Sequence, residues 1–432
     1  MPLDTPTPWS KKHKAVTKAA AGGLSYSLSN SFAEPLTTKE LIKLTHDRGD
    51  QTLVDEYLDH SLRYTANGGS LDLRTAISDL YSSAITPAHI LVFPGAQIAL
   101  KTAAVVLAGD VASHAIVFTP GYQSVQEGPG HAGGQVTKIE LSARDGWQID
   151  LGEVEKAINE NTRYIVCNEP YNPGGTLMSA ATQRGLVSLA SKRGIHILCD
   201  EVYRLLEHDP ADRLPAMAEA YGKGLSVVTL SKPWGGCGVS IGWCACQDLE
   251  VLERMTDVQY FDCACMGRAS ELLAIMTLRA SEVILAKNLG IIRENLVLLQ
   301  RFVEGTYRDL FEWVKPCAGA IAFIKFKGPM TSNELGAQLA LVGISIKPSY
   351  CFTDEVTTAN DYFRVGFGEI VFKDALEKLG EFVEERKEEW RAEMMREERE
   401  EREQEEREQE EREKECEAMY QRGERMERGQ GI

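Results

Sequence analysis

The stretch Thr229-Leu230-Ser231-Lys232-Pro233-Trp234-Gly235-Gly236-Cys237-Gly238 puts a lysine just past an apolar run and ahead of three glycines in four positions. A lysine at the end of a buried strand is desolvated, which lowers its pKa and makes the neutral amine a nucleophile toward an aldehyde. The hydroxyls of Thr229 and Ser231 beside it suit a phosphate. Three upstream segments carry groups that could cooperate with it. Ile197-Leu198-Cys199-Asp200-Glu201-Val202-Tyr203 ends an apolar run in an acid, with a tyrosine three residues on. Asn168-Glu169-Pro170-Tyr171-Asn172-Pro173-Gly174-Gly175 is a stiff Pro/Asn/Gly turn after another such run. Phe93-Pro94-Gly95-Ala96-Gln97 leads into an apolar helical pattern, and a helix N-terminus is a ready anion site. Each has a plainer reading taken alone: Lys232 a loop lysine facing water, Tyr203 a core aromatic, Asn172 a turn residue.

What must position these groups is an α/β scaffold. Apolar runs at 89–92, 115–118, 164–167, 195–199 and 226–230 alternate with helical patterns such as 151–159 and 182–192. Runs apolar throughout, instead of alternating, belong to a mostly parallel sheet covered by helices on both faces. All four segments then fall beyond the carboxyl ends of strands, where such sheets bind ligands. The expected organisation is an N-terminal arm (1–45), a large domain (46–290), a smaller α+β domain (291–385) on which the arm packs, and a charged tail (386–432). The tail repeats Glu, Arg and Gln with no apolar a/d seam, so a solvated and partly helical segment is expected in place of a coiled coil.

In order and approximate spacing the four segments resemble the fold-type I pyridoxal-5′-phosphate (PLP) enzymes, the class I/II aminotransferase family, over about seventy per cent of the chain, from Tyr64 to Phe367. The resemblance implies PLP as cofactor and no metal. It implies that Lys232 carries the cofactor as a Schiff base and shuttles a proton, that Asp200 pairs with the pyridinium nitrogen, and that Tyr203 and Asn172 bond the 3′-oxygen. Tyr122 would stack on the ring. Gly95, Ala96 and Gln97 would form the phosphate turn, with Thr229 and Ser231 as further ligands. Tyr64 would reach the phosphate of a neighbouring subunit in a homodimer. Arg364, in Tyr362-Phe363-Arg364-Val365-Gly366-Phe367, would clamp the substrate α-carboxylate, which its planar fork binds bidentately.

Two positions depart from the family pattern. Ser240 stands where an arginine usually meets the cofactor phosphate; losing such a charge-assisted contact of about 1.5 to 3 kcal/mol weakens binding by roughly one to two powers of ten. Arg268 is a candidate substitute. The usual Asn-Pro-Thr-Gly is Asn172-Pro173-Gly174-Gly175. The leading expectation is an aminotransferase converting an α-amino acid to a 2-oxo acid. The alternative is a PLP lyase or cyclase performing β/γ elimination or replacement on a basic or polar amino acid, since the chain also loosely resembles capreomycidine-synthase-like members and Glu34 and Glu169 could face a cationic side chain. A catalytically silent binding module is the third reading, supported by the tail.

Composition narrows the classes. The 432 residues are 43% hydrophobic and 26% charged, as in globular proteins. No apolar run reaches the roughly 18 to 20 residues of a membrane span. Lysines at 11, 12, 14 and 18 precede no apolar stretch of signal-peptide length, so cytoplasm is the expected compartment. The net charge is −17, and about half of the excess comes from 20 acidic against 12 basic residues from Glu384 onward. That is no nucleic-acid footprint. Cys244/Cys246 and Cys263/Cys265 are spaced C-x-C, unlike the C-x₂₋₄-C of zinc sites, and read as small buried hydrophobes.

Overall fold

The computed structural model describes residue 23 and residues 25–109, 112–353 and 361–429. The lysine-rich stretch at 1–18 lies outside the described residues. In chain order the strands are β1 (Tyr26–Ser27), β2 (Ile90–Phe93), β3 (His114–Thr119), β4 (Gln135–Glu140), β5 (Thr162–Asn168), β6 (His196–Asp200), β7 (Gly224–Thr229), β8 (Gly242–Cys246), β9 (Phe311–Trp313), β10 (Ile321–Phe326), β11 (Ile344–Ser345), β12 (Lys347–Pro348) and β13 (Tyr362–Gly366). The helices used below are α1 (Ala96–Ala108), α2 (Arg268–Arg279), α3 (Phe372–Glu384) and α4 (Lys387–Gly429).

Seven strands form one sheet in the order β2-β8-β7-β6-β5-β3-β4. Every neighbouring pair is parallel except the two that β8 makes. β3, β7 and β8 are buried along their whole length, as a sheet covered on both faces requires. Cys244 and Cys246 are two of those buried positions. This is an α/β domain built on a mostly parallel sheet, with a smaller α+β part beside it.

That smaller part is a four-stranded antiparallel sheet, β12-β13-β10-β9. It shares a core seam with the large sheet, where Trp147 packs edge-on to Tyr362 at 5.3 Å and against Phe323 at 5.6 Å. The arm is stitched to it. β1 pairs in parallel with β11, and Leu28 and Ala33 are fully buried. From there the arm runs on to the lysine loop, where Ala33 N–H donates to Lys232 O at 3.0 Å.

Two glycines make the junction of β2, β8 and α1. Gly95 caps α1 with a φ of 99°, a region L side chains avoid. Gly242 starts β8 so close to that turn that a Cβ on it would lie 2.6 Å from Ala96 N. Among the described residues no helix is long and apolar enough to cross a membrane.

Candidate active site

Strands β2, β5, β6 and β7 end together at one edge of the large sheet, and the groups that follow them meet in a cavity of about 540 Å³. Asp200 is the last residue of β6, directly across from Asn168 of β5. It is buried, and its Oδ1 accepts a long bond from Val202 N–H at 3.3 Å. Burial pushes its carboxyl up to about 7, the nearby Glu201 charge adding to the rise. A carboxylate in that setting is short of a cation.

Lys232 enters from the loop after β7. Its Nζ donates to Ser31 Oγ at 2.8 Å and lies 6.0 Å from the centroid of the Tyr203 ring. Burial, then the Arg364 charge, brings its ammonium down from 10.5 to about 8. Burial likewise raises the phenols of Tyr203 and of Tyr122, the latter to about 12, so both stay protonated hydrogen-bond donors at neutral pH. Asn172 is fixed by its backbone, whose N–H donates to Asn168 Oδ1 at 2.6 Å. Its own Oδ1 accepts from Arg364 Nη1 at 3.0 Å. Arg364, buried on β13, also donates from Nη2 to Ser29 O at 3.0 Å, while its Nε has no hydrogen-bond partner.

The far end of the cavity is an anion cradle. The first N–H groups of a helix have no intrahelical partner, and at α1 they belong to Ala96 and Gln97, beside open space where Gly95 lacks a side chain. Thr229 Oγ1 sits 3.1 Å from both Ile241 O and Ser231 Oγ. Ile241 O can only accept, so Thr229 donates to it and the Ser231 hydroxyl donates to Thr229 Oγ1, from which it can turn to an incoming anion.

This arrangement has counterparts of known type. The family model for aminotransferases of class I and II matches residues 48–366, well over half of the chain. The chain belongs to that family. An aspartate aminotransferase of Thermotoga maritima is 25% identical over 303 residues, covering 67% of this chain and 78% of its own. A capreomycidine synthase of Streptomyces vinaceus is 25% identical over 267 residues, 58% of this chain and 63% of its own. The crystal structure of a PLP-dependent aminotransferase from Streptococcus suis superposes with a TM-score of 0.76 at 28% identity, covering 85% of this chain and 95% of that one. Class I and II aminotransferases depend on PLP. The site fits that cofactor on its own evidence: a buried carboxylate short of a cation, a desolvated amine and an anion cradle at three points of one cavity.

Of the residues the sequence singled out, Gly95, Ala96, Gln97, Tyr122, Asn172, Asp200, Tyr203, Thr229, Ser231, Lys232 and Arg364 all line the cavity. Tyr64 does not; it is 91% exposed on the outer surface. Ser240 is exposed in a left-handed turn with φ 56° and lines no part of the cavity. Arg268 is no replacement for the missing arginine, because at the start of α2 it is held by Glu56, Glu271 and Ser70. The two glutamates expected to face a cationic substrate are elsewhere. Glu34 accepts from Ile370 N–H at 2.7 Å. Glu169 turns into a separate small cavity with Glu201 and Glu207, where it accepts from Met178 N–H at 3.0 Å.

Ser31 and Lys347 are polar side chains of the cavity that the sequence did not single out. Ser31, in the arm, bonds both Lys232 and the Tyr203 hydroxyl. Lys347, on β12, pairs across the strands with Arg364. Burial, then the charge of Arg364, lowers its ammonium to about 8. Among the described residues no group of three or more His, Cys, Asp or Glu side chains is arranged to hold a metal.

Proposed function

We propose that this chain is an aminotransferase that converts an α-amino acid to its 2-oxo acid, with Lys232 as cofactor anchor and proton carrier. The observation that carries the reading is the meeting of Lys232, Asp200, Tyr203, Asn172 and Arg364 in one cavity, each on a separate segment. When bound, PLP supplies a conjugated ring that accepts the electron pair left when the substrate Cα–H bond breaks.

The residues would act as follows. Asp200 holds a proton on the ring nitrogen, and the cationic partner brings its own carboxyl back toward ionisation. Tyr203 and Asn172 donate to the ring hydroxyl oxygen, and Tyr122 covers one face. Ala96, Gln97 and Ser231 bind the phosphate without help from an arginine at Ser240. Arg364 receives the α-carboxylate at the guanidinium edge that includes its unpartnered Nε. Lys232 would hold the cofactor and, as an amine lowered to about 8, would be a base of about the right strength to take the substrate Cα proton.

We also propose a homodimer in which Tyr64 completes the partner's phosphate site. Its support is an outward-facing group of Leu62, Tyr64 and Phe261, exposed by 93%, 91% and 89%. Thr65, next to Tyr64, donates to Met266 O at 2.7 Å, five residues on from Phe261.

The test is borohydride reduction of the protein with PLP, followed by peptide mapping and assay of 2-oxo acid formation over a panel of amino acids. A cofactor mass on the Lys232 peptide, absent in Lys232→Ala, together with keto-acid formation, is the expected result. Label retained by Lys232→Ala would defeat the anchor assignment. Ammonia release without amine transfer would overturn transamination in favour of elimination.

A further inference from the structure

Strands β5 and β6 bring Asn168 and Asp200 to the active site at their carboxyl ends, and a second hollow opens at their amino ends. It measures about 320 Å³ and is lined by Thr162 and His196, the first residues of the two strands. At about 3.3 Å per residue, the length of β5 sets it roughly 20 Å from the active-site edge of the sheet. Three arginines from separate segments line it: Arg163 on β5, Arg193 ending the helix Ala180–Arg193, and Arg254 from the helix Leu249–Asp262. The chain has 64 acidic residues against 47 lysines and arginines, yet among the described residues no acid lines this hollow. A guanidinium carries five N–H donors. Among the described residues Arg254 gives one bond, to Val106 O at 2.6 Å, Arg163 gives one, to Glu160 O at 3.2 Å, and Arg193 gives none. Lys223 adds a further cation, donating at 2.9 Å to the carbonyl of Gly194, which also lines the hollow. Burial holds the His196 imidazole below its ordinary value. Its 3.3 Å bond to Asp248 opposes that fall, and the charges of Lys223 and Arg254 add to it. Cations suit helix C-termini, which explains the sign of Arg193 and Arg254. It does not explain why both converge with Arg163, a strand residue, on one hollow lined by no described carboxylate.

We infer that this hollow is a second anion site, built for an oligophosphate, either free or as the phosphate tail of a nucleotide. Size and charge both call for more than one phosphate. The volume reaches the lower end of the roughly 300 to 1,000 Å³ of small-molecule sites. Three planar forks approaching from separate segments can each hold a different phosphate edge bidentately. The site is distinct from the cofactor's phosphate cradle. Helix α1 runs between the two, with Ala96 and Gln97 of its first turn at the cradle and Val106, Leu107 and Ala108 of its last turn lining the hollow. The inference does not rest on the reaction proposed at Lys232.

The experiment is calorimetric titration of the PLP-loaded protein, whose cradle is already filled, at fixed ionic strength. The probes are orthophosphate, pyrophosphate, tripolyphosphate, ATP and citrate. One oligophosphate per chain is expected, bound more tightly from orthophosphate to pyrophosphate to tripolyphosphate. Arg163→Gln and Arg193→Gln should each weaken it about tenfold, the lower end for a charge-assisted bond, because both side chains are exposed. For the same reason their melts without anion should match wild type. Arg308→Gln, an equal change of charge at an exposed residue of the smaller part, should leave binding as it is. ATP bound like tripolyphosphate assigns the site to the phosphates alone, and ATP bound more tightly assigns it to a nucleotide. Citrate or orthophosphate bound as well as pyrophosphate would overturn the oligophosphate assignment. Full affinity in the Arg163→Gln/Arg193→Gln double variant would place the anion elsewhere on the molecule. An equal loss in Arg308→Gln would leave only an effect of net charge and no site.

Discussion

At Lys232 desolvation outweighs the attraction of the one nearby carboxylate. Burial and Arg364 lower the ammonium to about 8, while Cys237 and Asp200 recover only part of the fall. At pH 7.5 such an amine is roughly one quarter neutral, against about one part in a thousand for an ordinary lysine. The rate at which the apoprotein captures PLP should therefore climb with pH and level off above about pH 8, as followed by stopped-flow absorbance. A plateau delayed to the ordinary lysine range would mean that Lys232 faces water. Ser231 allows a second check at this scale. Ser231→Ala removes a neutral donor worth about 0.5 to 1.5 kcal/mol, so PLP affinity should fall by a few-fold to about tenfold in equilibrium dialysis. An unchanged affinity would take Ser231 out of the anion cradle. The residues legible in the sequence were those whose motifs sit at strand ends, because there residue type and position in the chain both speak. Lys347 and Ser31 gave no such signal. The side on which Lys347 projects is set by pairing with β13, and the arm reaches Lys232 only through the tertiary fold.

Among the elements, the arm and the lysine loop depend on each other through one close approach. Gly235 has φ +63°, and a Cβ there would lie 2.5 Å from Glu34 O and 2.7 Å from Pro35 Cα, both backbone atoms. Gly235→Ala must push the arm outward, and Ser29 to Phe32 leave the cavity wall with it. A loss of about 1 to 3 kcal/mol is expected for the strained backbone, together with slower PLP capture as the Ser31 contact to Lys232 opens. Gly238→Ala, three residues on and with nothing within 4 Å, is the control and should change neither. Thermal melts and capture rates of the two variants decide it; equal effects would show that the arm does not depend on Gly235. Strands β3, β5, β6 and β7 could be read from the sequence because burial on both faces makes them apolar throughout. β4 could not, being an edge strand with one buried residue in six, and β9 is too short at three residues to show a pattern. Edge and short strands take their existence from a neighbour's free backbone groups, and no side-chain periodicity announces them.

Across the whole molecule, the charged segment is divided in its dependence on the fold. Helix α4 begins inside the smaller core. Trp390 is 3% exposed, edge-on to Phe326 at 5.0 Å and tilted against Phe382 at 6.1 Å. Arg391 Nε meets Asp309 at 2.6 Å one residue later. Past Met394, which still touches that core, the described side chains are exposed, and their contacts are Glu, Arg, Lys and Gln pairs along the helix itself. Such pairs contribute about 0.2 to 0.5 kcal/mol each to a lone helix and nothing to the packed body. Stability should thus end within the first two turns of α4, past the boundary at 385/386 that the Glu/Arg repetition suggested. Trp390→Ala removes a large aromatic from a closed core, at a cost of about 3 to 5 kcal/mol, and should lower Tm clearly in calorimetry of the PLP-loaded protein. Deleting residues 397–432 should leave that transition where it is and remove only a helical contribution from the far-ultraviolet circular dichroism. A deletion as damaging as Trp390→Ala would mean that the exposed length of α4 has a partner surface on the body or on a second subunit. An intact Tm in Trp390→Ala would mean that α3, not α4, closes the smaller core.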